Sequence, residues 1–137
     1  MLISTKGRYA LRLLIDLAEH RDQGAVSLGS MAARQEISEK YLEAVLKPLV
    51  REGILEGVRG KGGGYYMRLE PEKITLGRVL RLVEPTLGTV SCLKDGAEEC
   101  PRRDSCPTLP LWQELDAIIL DYLDGRTLSE LLPKKQA

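Results

Sequence analysis

Phenylalanine is absent from this 137-residue chain and tryptophan occurs once, so Leu, Ile and Val must fill most of any core. Histidine also occurs once, as His20. No apolar run approaches the roughly 20 residues needed to span a bilayer. The opening Met1-Leu2-Ile3-Ser4-Thr5-Lys6 lacks the basic-then-apolar pattern of a signal peptide. The expectation is a cytoplasmic protein with no membrane partner, in a compartment where thiols stay reduced. A Cys-x-x-Cys pair and an alternating βαβ pattern are both missing, which argues against a thiol oxidoreductase. The glycine-rich stretch at 60–64 has no Gly-Lys-Ser/Thr ending and leads into a strand pattern, so it is no nucleotide-binding P-loop. Internal repeats and low-complexity segments are absent. No catalytic residue set and no small-molecule substrate are expected.

What is present suits one compact domain, or one small domain with an added element. Hydrophobic residues make up 43% of the chain, enough for a real core. Net charge is zero but uneven. Residues 1–68 hold 11 Lys/Arg against 8 Asp/Glu, and residues 69–137 hold 9 against 12. The first half is therefore the one to face a phosphate backbone.

Cys92, Cys100 and Cys106 are the only cysteines and fall within fifteen residues. The residues between them are polar, include Pro and Gly, and show no helical or strand periodicity. Thiols on one short solvated loop are not packing residues. An odd count argues against a closed disulfide framework. Metal or iron–sulfur ligation is the sharper reading. A redox-active pair plus a spare thiol, or three surface thiols without a role, are the plainer ones.

Helical spacing predicts a first helix from about Thr5 to His20, with Ser4 or Thr5 as its cap and Ala10, Leu13, Leu14, Leu17 and Ala18 on its apolar face. Ser27 caps a short helix through Met31 to Ala33. Ser38 caps a third, with Tyr41, Leu42, Val45, Leu46 and Leu49 on its stripe, a kink expected at Pro48 and a stop at Gly53. Ile54–Arg59 and Tyr65–Leu69 flank Gly60-Lys61-Gly62-Gly63-Gly64, which reads as a β-hairpin with a flexible tip. Thr75 caps a helix closed by Pro85. After the cysteine loop, a helix from about Thr108 to Leu123 carries an apolar stripe of Leu111, Leu115, Ile118, Ile119 and Tyr122. Thr127 caps a last turn.

Three helices followed by a hairpin is the order of a winged helix-turn-helix. The expected fold is mainly α: a DNA-binding domain over residues 1–84, a cysteine-bearing loop over 85–107, and a dimerisation helix with a C-terminal turn over 108–137. The helix after Ser38 is the candidate recognition helix. Ser38, Glu39, Lys40, Glu43 and Lys47 lie on its outer face, which also reads as an ordinary solvated helix face. Glu43 can accept only from a cytosine amino group and repels phosphate. Arg59 and Lys61 on the hairpin tip suit a narrow minor groove and phosphate, with a mobile surface turn as the alternative. Lys6 and Arg8 can reach phosphate at the start of the first helix. The last long helix presents more apolar surface than a three-helix module covers; a second copy of the chain would bury it, and an intrachain core position is the alternative.

The stretches Ile3-Ser4-Thr5-Lys6-Gly7-Arg8-Tyr9-Ala10-Leu11, Ile37-Ser38-Glu39-Lys40-Tyr41-Leu42-Glu43 and Val58-Arg59-Gly60-Lys61-Gly62-Gly63-Gly64-Tyr65 strongly resemble bacterial Rrf2-type winged-helix regulators, the family of IscR, NsrR and CymR. The likeness covers nearly the whole chain. It implies a homodimer on a roughly palindromic double-stranded operator, with Lys6, Arg8, Ser38, Lys40, Tyr41, Glu43, Lys47, Arg59 and Lys61 toward DNA. It further implies that Cys92, Cys100 and Cys106 hold an iron–sulfur cluster, usually [2Fe–2S] in the IscR type, with control of cluster-biogenesis genes. A cluster-free member using the cysteines as a thiol switch or zinc site, for example in cysteine metabolism, is the alternative. The first cysteine gap is seven residues, two longer than the IscR pattern. The family's fourth ligand is a His three residues after the third cysteine or an acidic residue near the N-terminus; here those places are Leu109 and Arg8. Glu98, Glu99 and Asp104, a partner-chain residue or an exogenous thiol stay open as the fourth donor.

Overall fold

In the computed structural model, which describes residues 2–133, the chain forms five helices and one two-stranded antiparallel sheet: α1 Thr5–Glu19, α2 Leu28–Gln35, α3 Glu39–Arg51, β1 Leu55–Val58, β2 Gly64–Met67, α4 Leu76–Val83 and α5 Leu109–Asp124. No helix among the described residues is long and apolar enough to cross a membrane.

Hydroxyl side chains start four of the helices. Ser4, Ser27, Ser38 and Thr75 are extended residues whose oxygens accept from the backbone N–H three positions on. Each satisfies one of the donors that a helix start leaves orphaned. The turn between α2 and α3 is made by Glu36 in the left-handed region (φ 56°), an uncommon place for a residue other than glycine. Its own N–H and that of Ile37 both return to Ala32 O. Helix α3 runs past Pro48 to Arg51, and Gly53, in the left-handed region, follows its end.

One apolar core joins α1, α3, β1, β2 and α4. Leu13, Leu14, Leu42, Leu46, Leu49, Ile54 and Ile74 are fully buried in it. Each such side chain contributes roughly 2 kcal/mol over an exposed one. Leu128, from the single turn Leu128–Leu131, is equally buried there, and its N–H donates to Ile74 O at 2.8 Å. Helix α5 is different: none of its residues is buried. Polar ties hold it. Arg81 on α4 donates twice to Asp124, at 2.5 and 2.8 Å, and Thr89 N donates to Asp116 Oδ1 at 2.9 Å.

The hairpin pairs Leu55 with Met67 and Val58 with Gly64. Val26 adds a third edge through reciprocal 2.8 Å bonds with Tyr65. This edge explains Gly64, and the hairpin's own turn explains Gly63. A Cβ on Gly64 would lie 2.1 Å from Val26 O, and one on Gly63 would lie 2.3 Å from Val58 O. They are therefore required by packing within the chain, whereas Gly60 and Gly62 face open space.

A buried ion pair fastens α2 to α1. Asp16, 5% exposed, accepts from Arg34 Nε at 3.0 Å, Arg34 Nη2 at 2.6 Å and Gln35 Nε2 at 3.0 Å. Burial alone would raise its pKa; the hydrogen bonds from Arg34 and Gln35, with the charges of Arg34 and His20, outweigh it and hold the carboxyl below the ordinary 3.8. A depressed carboxylate stabilises the fold above its unfolded pKa, and that contribution is lost as pH falls through the folded value. Asp16→Asn is expected to cost about 2 kcal/mol at neutral pH, at the modest end because the Arg34 side chain is itself 35% exposed. Thermal melts should show the gap to the unsubstituted protein narrowing below pH 4; an equal gap at pH 7 and pH 3 would count against this account.

Candidate nucleic-acid interface and thiol cleft

On α3, the side chains of Ser38, Glu39, Lys40, Glu43 and Lys47 are exposed, one turn after another along the face opposite the core. Ser38 also spends its hydroxyl oxygen on Tyr41 N at 3.1 Å. Tyr41 is half-buried, with its ring edge-to-face on Tyr9 at 5.8 Å, so it braces α3 against α1 and is only partly open to solvent. Arg59 and Lys61 are exposed on the hairpin tip. In the first turn of α1, Arg8 is exposed and donates to Thr5 Oγ1 at 3.1 Å, while Lys6 is half-exposed.

Helix α3 and the hairpin enclose one groove of about 600 Å³, walled by Glu43, Lys47, Arg51, Val58, Arg59 and Tyr65. Three cations face one carboxylate there, although the whole chain is neutral. The folding sorts charge that composition averages out. Arg51 was not among the expected contacts. The signal was available: it stands one helical turn beyond Lys47 on the same face.

The outer stripe of α5 is open. Leu111, Leu115, Ile118 and Tyr122 are 56%, 37%, 58% and 59% exposed. Ile119 is half-buried. Ile3, just before α1, joins Ile118, Ile119, Tyr122 and Leu123 around an apolar groove of about 390 Å³.

The cysteine loop has more local structure than its polar composition predicts. Ser91–Leu93 and Arg103–Ser105 are single tight helical turns, closed by Leu93 N on Val90 O (3.1 Å) and by Ser105 N on Arg102 O (3.0 Å). Thr86 Oγ1 accepts from Gly88 N and Asp95 N and staples the root of the loop. Together these turns bring all three cysteines to the wall of one narrow cleft of about 20 Å³, with Leu93, Arg103 and Leu109 as the other walls. Cys92 is exposed; Cys100 and Cys106 are half-buried. The Cys106 thiol is held below the ordinary thiol range, first by the Thr108 hydroxyl 3.4 Å away, then by the Thr108 and Leu109 amides and the charge of Arg102, against a small opposing effect of burial.

The loop carboxylates Glu98, Glu99 and Asp104 do not wall this cleft, and neither does His20. Among the described residues, no three His, Cys, Asp or Glu side chains converge tightly enough to grip a single ion. The donors in the cleft are soft thiols between two leucines and one arginine, which suits a thiolate-bound iron–sulfur group and not a hard cation. A closed zinc tetrahedron would need a fourth protein donor, and Leu109 occupies the remaining wall.

Comparison with known proteins agrees with this architecture. The family model described as Rrf2, an iron-dependent transcriptional regulator, matches residues 3–134. The HTH-type transcriptional regulator IscR of Aliivibrio salmonicida is 38% identical over 132 residues, spanning 96% of this chain and 77% of that protein. Among solved structures, CymR, the global cysteine regulator of B. subtilis, superposes with a TM-score of 0.76 at 37% identity, over 96% of this chain and 95% of its own. The IscR of T. potens superposes with a TM-score of 0.75 at 31% identity, over 100% and 94%.

Proposed function

The chain belongs to the Rrf2 family of transcriptional regulators, and from that premise we propose that it is a homodimeric, sequence-specific DNA-binding regulator whose operator affinity responds to an iron–sulfur cluster held by Cys92, Cys100 and Cys106. The observation that carries this reading is the shared cleft: three soft thiols line it before the start of α5, with no carboxylate among the walls. We divide the chain by role into residues 1–84 for DNA, 85–107 for the cluster and 108–137 for dimerisation. Control of cluster-biogenesis genes is the role that fits the IscR relatives.

On DNA, α3 would enter the major groove with Ser38, Lys40, Glu43 and Lys47 outward, and the hairpin tip would set Arg59 and Lys61 on the neighbouring minor groove and backbone. Lys6 and Arg8 would hold phosphates and so fix register. Two copies joined along α5 would present two such helices to two half-sites.

When bound, the cluster supplies an oxidation-sensitive centre at the start of α5. The chain's own part is to order the loop around it, where each fixed backbone residue otherwise keeps roughly 1–2 kcal/mol of entropy. The fourth donor would come from a partner chain or an exogenous thiol.

A second reading has its own support. The Cys106 thiol, favoured as thiolate by Thr108 and the α5 amides, is the kind that reacts with oxidants. A cluster-free thiol switch, as would suit a cysteine regulator such as the CymR relatives, uses the same cleft.

Arg59→Ala is expected to weaken operator binding about tenfold, and Glu43→Ala to relax preference at one base pair with affinity kept or raised. Gel shifts on selected operator variants check both; wild-type binding by Arg59→Ala would remove the wing contact. Ile118→Asp places a charge in the proposed dimer seam, where an unpaired buried charge costs several kcal/mol. Sedimentation should show a monomer that no longer binds a two-half-site operator tightly, and a monomeric unsubstituted protein at micromolar concentration would sink the dimer. Anaerobically reconstituted protein should be reddish-brown and bleach in air, with Cys92→Ala, Cys100→Ala and Cys106→Ala each colourless but still dimeric. Colourless unsubstituted protein would transfer the case to the thiol switch.

A further inference from the structure

Among the walls of the thiol cleft, Arg103 is the single charged residue that is not a thiol. The residues with the chemistry to serve as a fourth donor, Glu98, Glu99 and Asp104, point elsewhere, and the side that remains is closed by a cation and two leucines. The backbone that carries Arg103 is tied down, while its side chain is exposed. Its N–H donates to Cys100 O at 3.0 Å, and Ser105 N donates to Arg102 O at 3.0 Å, so the turn carrying the guanidinium is pinned to one cysteine and runs directly into another.

Several of the arginines in this chain are committed to carboxylates: Arg21 to Glu70, Arg34 to Asp16, Arg68 to Glu56, Arg81 to Asp124 and Arg126 to Glu130. Arg103 makes no salt bridge among the described residues. Its charge is permanent, its donors are arranged for anions, and it is less strongly hydrated than a lysine ammonium would be.

We propose that Arg103 is the anion partner of this cleft: its guanidinium draws negatively charged groups to Cys92, Cys100 and Cys106 and offsets the negative charge of a thiolate-bound cluster. The first half holds for the metal-free protein. The second half rests on the cluster reading above.

Metal-free, reduced protein is alkylated with iodoacetate, which is anionic, or with iodoacetamide, which is neutral, and modification of each cysteine is followed by mass spectrometry at low ionic strength. Both reagents attack the same thiolates and expel iodide, so the ratio of their rates reports local charge and not thiol acidity. Relative to the unfolded chain, the folded protein should favour iodoacetate. Arg103→Gln should lower the ratio about fivefold, as expected for one nearby charge in a solvated site. Arg103→Lys should keep most of it, and Arg78→Gln, an exposed arginine on α4, should leave it unchanged and so exclude a net-charge effect. A ratio indifferent to Arg103→Gln overturns the assignment. After anaerobic reconstitution, Arg103→Gln should lower the midpoint potential of the cluster, because the lost cation favours the more negative reduced form; an unmoved potential overturns the second half. A chain that takes up no cluster yet loses charge discrimination in Arg103→Gln removes the cluster reading and leaves Arg103 as the anion partner.

Discussion

The leucine layer shared by α1, α3 and α4 is the constraint on which the other features of this chain depend. With no phenylalanine available, the core is built from branched aliphatic side chains that fill the angles between three short helices, and Leu13, Leu14, Leu42, Leu46 and Leu49 are fully buried there. Because α3 turns its inner face to this layer, its outer face is left mostly to polar residues. Because α1 is locked into the same layer, its first turn has a fixed position as well. Ser4 donates from both its N and its Oγ to Glu84 Oε1, at 2.9 and 2.8 Å, and Gly7 leaves the room that this carboxylate needs. Glu84 stands at the end of α4, where the cysteine segment begins. The root of the loop is thus bonded to the helix start that carries Lys6 and Arg8.

Much of the architecture was legible in the sequence because its signals are local. The hydroxyl caps at Ser4, Ser27, Ser38 and Thr75 each act within three residues, and the apolar faces follow helical spacing. Features set by distant partners were not legible. Gly63 and Gly64 read as freedom for a tip that approaches DNA. Gly64 is in fact demanded by the carbonyl of Val26, and that edge comes from a segment far back in the chain. The Asp16–Arg34 pair joins two helices across 18 residues, with nothing in either segment to announce it. Glu36 turns the chain in a conformation usually left to glycine or asparagine. In the cysteine loop, two short turns decide which side chains wall the cleft. Turns that short carry no periodicity, so the carboxylates looked as available as Arg103.

Helix α5 shows what a single chain cannot complete. Burial elsewhere comes from apolar contact, yet α5 is held by Arg81 on Asp124 and by Asp116 on the Thr89 amide, while its own apolar stripe stays in solvent. Exposed ion pairs contribute little to stability, so these ties orient the helix more than they secure it. An apolar face positioned by polar contacts at its middle and its C-terminal end is suited to meeting a copy of itself. The polar ties fix its direction and leave the area for the contact. This is consistent with the role proposed for it, and it places the thiol cleft at the N-terminal end of the same helix.

That placement matters for the chemistry of the loop. Thr108 and the first amides of α5 favour a thiolate at Cys106, and Arg103 brings a permanent cation to the same walls. Both effects stabilise negative sulfur, and both would serve a metal cluster and a reactive thiol equally well. What separates the two uses is the number of sulfurs in the cleft. One activated thiol and one resolving thiol suffice for a reversible disulfide, so a third cysteine is surplus to a switch. Three thiolates leave a tetrahedral iron one donor short of complete on the protein side. A donor set that is one too many for a disulfide and one too few for a closed metal tetrahedron fits a group whose last position stays exchangeable, which is the property a sensing cluster needs.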